Sequence, residues 1–91
     1  MDKTCFKDKV IIITGASSGI GLASARLFGS YGAKVVMAAR HLDKLEAEVP
    51  TVSPVSGNVL CVKTDVSKEE DCKALIEKTV ERFGRIDILV N

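Results

Sequence analysis

The sequence has no surplus of either charge: thirteen Lys and Arg stand against twelve Asp and Glu, a formal net charge of +1. A chain so balanced generates no field that would draw in a phosphate polymer or an anionic bilayer, so neither nucleic acid nor membrane is an expected partner. Long apolar runs are also lacking. The longest unbroken run of branched aliphatic residues, Val10 to Ile13, falls far short of the about 18 residues that suggest a membrane span. The opening MDKTCFKDK has no apolar core of the about 7 to 15 residues that a secretion signal needs, and a cytoplasmic location is the expectation. Cysteine is sparse. Three residues, Cys5, Cys61 and Cys72, are an odd number whose spacing matches neither a disulfide framework nor a zinc knuckle, so reduced thiols are expected. With His41 as the only histidine, a structural zinc site would be short of its usual ligands, and no metal is expected. Nor do Cys61 and Cys72 have the paired or electropositive setting that lowers a thiol pKa, which argues against thiol redox chemistry.

What is present is an ordinary globular composition, 46% hydrophobic and 27% charged over 91 residues, enough for one small domain. Val10 to Thr14 is a continuous β-branched strand, followed by a glycine-rich turn over Gly15 to Gly21. Apolar Ile20, Ala23, Leu27 and Tyr31 then recur at helical spacing, and Gly32 stands where such a helix would stop. Val35 to Ala39 reads as a second buried strand. Leu42, Leu45 and Val49 mark a second helix, which Pro50 is expected to end. Pro50 to Gly57, with two prolines, two serines and a glycine, is the one linker-like stretch. Val59 to Lys63 is the third strand, and Ser67 with Glu70 forms a capping box announcing a third helix. Its stripe is Cys72, Leu75, Ile76, Thr79, Val80 and Phe83, Gly84 terminates it, and Ile86 to Val90 is the fourth strand. Strands apolar throughout, alternating strictly with helices, imply an α/β fold with a parallel sheet covered on both faces.

The chemistry concentrates in TGASSGIG, residues 14–21. Gly15, Gly19 and Gly21 lie between a strand and a helix, where unsatisfied backbone N–H groups and the helix dipole attract phosphate. Main-chain amides from Ser17 to Ile20 are expected to converge on a diphosphate. Glycine permits the tight turn and the close approach of the ligand, and the third glycine lets the helix pack on the strand. The spacing G-x-x-x-G-x-G lacks the Gly-Lys-Ser or Gly-Lys-Thr ending of a triphosphate-binding loop, which favours a dinucleotide. The plainer alternative is a tight turn with no ligand.

TGASSGIG resembles the nucleotide-binding signature of the short-chain dehydrogenase/reductase family. Asp65-Val66, after the third strand, is similar to that family's adenine-pocket pair, and DILVN at residues 87–91 is similar to the start of its N-N-A-G segment, which makes Asn91 a candidate cofactor-binding residue. The resemblance covers about residues 8–91, and the three motifs occur in the family's order. It implies a partial Rossmann-type doubly wound sheet, β-α-β-α-β-α-β with strand order 3-2-1-4. It also implies an oxidoreductase transferring hydride between a nicotinamide nucleotide and a carbonyl or alcohol.

Which nucleotide is read from VVMAARH, residues 35–41. A carboxylate at the end of the second strand would hold a ribose 2′-hydroxyl and repel a 2′-phosphate. Ala39 stands there instead, with Arg40 next to it, and a guanidinium grips a phosphate with paired hydrogen bonds. NADP(H) is therefore expected over NAD, with Ser18 and His41 as further candidates at the phosphate. For Arg40 and His41 the plain alternative is a solvated surface, and for Asp65 a turn residue before Ser67.

The family's catalytic serine and its Y-x-x-x-K pair come later in its chain. Tyr31 and Lys34 are three apart at the end of a helix and start of a strand, and both read as structural, so no catalytic residue is assigned. Residues 1–91 thus read as a single partial dinucleotide-binding domain, stopping before the catalytic region and inactive alone. The substrate is a small molecule of unread class. The fourth strand would present Ile86, Ile88, Leu89 and Val90 on a bare edge, so a homo-oligomer formed through that strand, or else a marginally stable piece, is expected. The alternative is a non-catalytic nucleotide-binding module or a self-associating fragment.

Overall fold

The computed structural model describes residues 6–91; Cys5 lies outside them. Strands β1 (Val10–Thr14), β2 (Lys34–Ala39), β3 (Val59–Lys63) and β4 (Ile88–Val90) alternate with helices α1 (Gly19–Ser30), α2 (Leu42–Val52) and α3 (Glu69–Phe83). A short 3-10 turn, Ser56–Asn58, precedes β3. The four strands form one sheet in the order β3-β2-β1-β4, and all pairs are parallel, with Ile12 opposite Val36 on one side and Leu89 on the other. This is the parallel sheet that the alternation implied, in the doubly wound strand order that the family resemblance implied.

Successive strand residues point to opposite faces, so a strand buried on both sides must be apolar at every position. In β1, Ile11 and Ile13 join Val35, Met37, Leu45 and Ala25 in the core beneath α1 and α2. Val10 and Ile12 join Val36, Ala38, Val62 and Leu75 in a second core beneath α3. The continuous β-branched run is thus the signature of a central strand.

Several expectations are corrected. The Ile20-Ala23-Leu27-Tyr31 stripe is not the buried face of α1: Ile20 is 87% and Leu27 52% exposed, while Ala25 and Gly29 are buried and Leu22 and Phe28 pack beside them. The helix docks through its small residues because nothing larger fits. A Cβ on Gly29 would lie 2.0 Å from the Val52 carbonyl oxygen at the end of α2. Tyr31 serves as the C-cap of α1 and stacks on Phe6, which meets Phe28 edge-on at 5.0 Å. Pro50 does not end α2. The helix runs to Val52, a buried residue, and Ser53 N–H closes it on the Val49 carbonyl. Burial of Val52 in the core offsets the one backbone donor that proline lacks.

The Ser67–Glu70 capping box does not form either. Lys68 is the N-cap of α3 and makes no side-chain cap bond. Ser67 instead gives both its N–H (3.0 Å) and its hydroxyl (2.6 Å) to Asp65 Oδ1, and Asp71 Oδ2 accepts the Asp65 N–H at 2.9 Å. An acidic residue two positions upstream outcompetes the helix for the serine hydroxyl. Along α3, Leu75 and Thr79 are buried, but Ile76 and Val80 are exposed, so the apolar stripe is narrower than its spacing suggests.

β4 is shorter than expected, beginning at Ile88. Asp87 extends its pairing by side chain: its carboxylate accepts the Val10 N–H at 2.8 Å while its own N–H bonds the Val10 carbonyl at 2.9 Å. Arg85 meets the same carboxylate at 2.6 Å. The Val10 N–H first, and Arg85 after it, hold the Asp87 carboxyl below the ordinary carboxylate range. On the far side of β4 no strand pairs among the described residues, and Leu89 is 53% exposed. Lys34 is tied to Asn58 Oδ1 at 3.2 Å and lies 3.7 Å from Asp8, in keeping with a structural role.

Candidate functional site

The carboxyl ends of β1, β2 and β3 meet three turns, and a cavity of about 450 Å³ opens among them. Its walls are Gly15, Ser17 and Ser18 from the first turn, Ala38 to His41 from the second, and Thr64 to Ser67 from the third. Ligands of doubly wound sheets bind at this end of the strands.

The glycine turn takes its shape from main-chain demands. Gly15 and Gly19 have φ of +63° and +58°, a region that side chains disfavour, and space is open where a Cβ would point. Gly21 does a different job: a Cβ there would lie 2.2 Å from the Gly15 carbonyl oxygen, so only glycine lets α1 start directly against the turn. Ala16 N–H bonds the Ala38 carbonyl at 3.2 Å and Leu22 N–H that of Ser18. Among the described residues, the N–H groups from Ser17 to Gly21 have no main-chain acceptor. That leaves a cluster of donors at the positive end of a helix, a setting suited to a diphosphate. Ser18 caps α1 without a side-chain bond, so its hydroxyl is uncommitted.

The second wall carries the positive charge. Arg26, Arg82 and Arg85 each bond an acceptor within the molecule. Among the described residues Arg40 has none, and it faces the cavity beside His41, the N-cap of α2, whose ring makes no capping bond. No carboxylate occupies the strand end, where Ala39 stands. The third wall holds Asp65. The hydroxyl and N–H of Ser67 keep its carboxyl below the ordinary range, with smaller help from Lys68 and Arg40. Val66, 62% exposed, presents an apolar surface beside it.

The fold therefore brings Gly15, Ser17, Ser18, Arg40, His41, Asp65 and Val66 around one cavity. Gly19 and Gly21 shape the turn behind it. Ile20 and Asn91 are not among its walls; Asn91 sits past the tip of β4, where its Oδ1 shares the Thr14 hydroxyl with the Val90 carbonyl. Ala38 and Thr64 are wall residues that the motifs did not single out, and Ser67 was singled out only as a helix cap; the signal of the first two is position, at or just past a strand's carboxyl end. Thr64 is buried, its N–H on the Ala39 carbonyl at 2.8 Å and its hydroxyl on that of Val62.

A groove of about 520 Å³ lies at the β3 edge, lined by Leu42, Glu46, Val49, Pro50, Val59 and Cys61. Burial, then the Glu46 charge, pushes the Cys61 thiol up, away from the reactive thiolate. Among the described residues no group of three or more His, Cys, Asp or Glu could hold a metal ion, and no helix is long and apolar enough to cross a membrane.

Comparison with known proteins agrees with this geometry. An uncharacterized oxidoreductase of Listeria monocytogenes is 54% identical over 83 residues, covering 91% of this chain and 34% of that protein. The chain thus spans about a third of the length of this curated relative. The crystal structure of L-sorbose reductase from Gluconobacter frateurii, complexed with NADPH and L-sorbose, superposes with a TM-score of 0.90 at 41% identity, over 99% of this chain and 35% of that one. A 3-ketoacyl-(acyl-carrier-protein) reductase from Brucella melitensis, complexed with NADH, does so with a TM-score of 0.83 at 38% identity, over 92% and 33%. Residues 9–91 match the short chain dehydrogenase family throughout, and the chain belongs to that family of oxidoreductases.

Proposed function

We propose that this chain is the cofactor-binding portion of an NADP(H)-dependent oxidoreductase acting on a small carbonyl or alcohol. The observation that carries the nucleotide preference is Arg40: a guanidinium with no acceptor among the described residues, facing the cavity at a strand end that lacks the carboxylate an unphosphorylated ribose would use. The residues fit the group. The N–H donors of Ser17 to Gly21 would hold the diphosphate, Arg40 with Ser18 and His41 the 2′-phosphate, and Asp65 with Val66 the adenine. Asn91 would lie on the nicotinamide side. When bound, the nicotinamide supplies or accepts the hydride; this chain's contribution is to anchor and orient it.

The test is calorimetric titration with 2′,5′-ADP and 5′-AMP, before and after Arg40→Ala. The native chain should bind 2′,5′-ADP at least about tenfold more tightly. The substitution should cost that ligand about 1.5 to 3 kcal/mol and leave 5′-AMP unaffected, as expected for one charge-assisted contact. Equal affinity for the two nucleotides in the native chain would remove the NADP(H) reading.

A further inference from the structure

Resting on that reading, we propose that Asp71, which is not among the cavity's walls, is a positioning residue for recognition of the nucleotide base. From the first turn of α3 it holds Asp65 in the orientation that reads the base. The bond that carries this runs from the Asp65 N–H to Asp71 Oδ2 at 2.9 Å, reaching across six residues of chain. It completes a set of ties around one wall residue. Upstream, Thr64 is buried and its N–H is fixed on the Ala39 carbonyl at 2.8 Å. Downstream, the Asp65 carbonyl accepts the Lys68 N–H at 2.9 Å. Ser67 occupies Asp65 Oδ1 with two donors, and among the described residues Oδ2 has none. Asp71 is thus the side chain that fixes the Thr64–Asp65 peptide plane, and with it the direction of a carboxylate whose second oxygen is uncommitted at the cavity wall.

Charge alone does not account for Asp71. Glu69 and Glu70 lie in the same first turn of α3 and are exposed, and each supplies the negative charge that a helix N-terminus favours. Of these acidic residues, Asp71 is the one bonded to the wall. An ionised carboxylate accepts hydrogen bonds and donates none. The uncommitted Oδ2 of Asp65 therefore favours a ring that presents an amino group, as adenine does at C6, over hypoxanthine, which has a carbonyl oxygen in the same place. Once the Asp65 N–H loses its acceptor, the peptide turns to satisfy that donor in water and the carboxylate loses its aim. Base selectivity should then fall while Arg40, on a different turn, keeps its hold on the 2′-phosphate.

Two pairs of ligands separate these effects in calorimetric titrations of the chain. NADP⁺ against nicotinamide hypoxanthine dinucleotide phosphate measures base preference, and 2′,5′-ADP against 5′-AMP measures 2′-phosphate preference. The native chain should favour NADP⁺ over the hypoxanthine dinucleotide by at least about tenfold, as for one charge-assisted hydrogen bond. Asp71→Ala should reduce that preference below about threefold and leave the 2′-phosphate preference within about twofold of native. Asp71→Asn, whose amide oxygen can still accept the Asp65 N–H, should restore the base preference to within about twofold of native. Asp71→Ser, one bond shorter, should behave as the alanine variant does and replaces it if that variant does not fold. An undiminished base preference in folded Asp71→Ala or Asp71→Ser, or no recovery in Asp71→Asn, would overturn the positioning role. So would a parallel loss of both preferences, which general loosening of the fold would give. A native chain that prefers 2′,5′-ADP yet does not tell the two bases apart would overturn the placement of the base against Asp65, and the positioning role with it. Equal affinity for 2′,5′-ADP and 5′-AMP would overturn the NADP(H) reading alone. Absence of binding by every nucleotide would overturn both.

Discussion

A single methyl group at Gly21 tests how the glycine turn works. A Cβ built there lies 2.2 Å from the Gly15 carbonyl oxygen, 2.8 Å from its carbon and 3.2 Å from Ala16 Cα. All three are main-chain atoms, so no side chain can swing aside, and relief requires α1 to lift from the turn by about 1 Å to restore ordinary contact near 3.5 Å. Overpacking costs about 1 to 3 kcal/mol, and moving a whole helix places this site at the upper end. Alanine regains about 1 kcal/mol in helix propensity, leaving a net loss of about 2 kcal/mol, or about thirtyfold in the folding equilibrium. With a small-domain urea dependence of about 1 to 2 kcal/mol/M, the unfolding midpoint of Gly21→Ala should fall by about 1 to 2 M. Affinity for 2′,5′-ADP should fall with it, because the lifted helix carries the Ser17–Gly21 amides away. Gly29→Ala provides the contrast. Its Cβ would meet the Val52 carbonyl oxygen at 2.0 Å, more than two helical turns from the cavity, so it should lose stability while its folded molecules keep their nucleotide affinity. An unchanged midpoint and unchanged affinity for Gly21→Ala would refute the packing argument.

Asp87 should make the fold acid-sensitive. Its carboxyl titrates lower in the folded chain than in the unfolded one, so its contribution is fully present above about pH 4 and disappears as pH falls through the folded-state value. Asp87→Asn should lower the melting temperature at pH 7 and flatten its acid dependence; an unaltered acid slope would show that the Val10 bond is inert. Leu45 is fully buried under α2, and Leu45→Ala should cost about 2 to 5 kcal/mol by urea denaturation, with a loss below about 1 kcal/mol contradicting its place in the core. Self-association through β4 is checked by sedimentation velocity. The native chain should show a concentration-dependent dimer that Leu89→Lys removes, and a native monomer at every concentration would count against that interface.

The strands were legible because their signal is redundant. β1 and β3 need no boundary correction; in β1 the run from Val10 to Ile13 is buried on both faces and leaves no room for polar residues. The glycine turn was legible for a related reason: Gly15 and Gly19 sit at φ values that other residues disfavour. α1 was misread where periodicity weighs residues by hydrophobicity, whereas the helix buries Ala25 and Gly29 for their smallness and leaves Ile20 outside. The capping box failed because a four-residue pattern cannot register Asp65, which takes the Ser67 hydroxyl from upstream. The cavity was half legible. Arg40, Ser18 and Asp65 follow from motifs, but Thr64 and Ala38 belong to it only because the sheet order sets the tips of β1, β2 and β3 side by side.

The amide of Ala16 grips the Ala38 carbonyl, and that of Thr64 grips the carbonyl of Ala39. These ties stitch adjacent strand tips together without recruiting a single side chain. Chemical identity and mechanical integrity are thereby separated at this rim: the exposed side chain of Arg40 takes no part in the ties that hold its backbone in place. A substitution at residue 40 should therefore change what the cavity presents without loosening the rim that frames it.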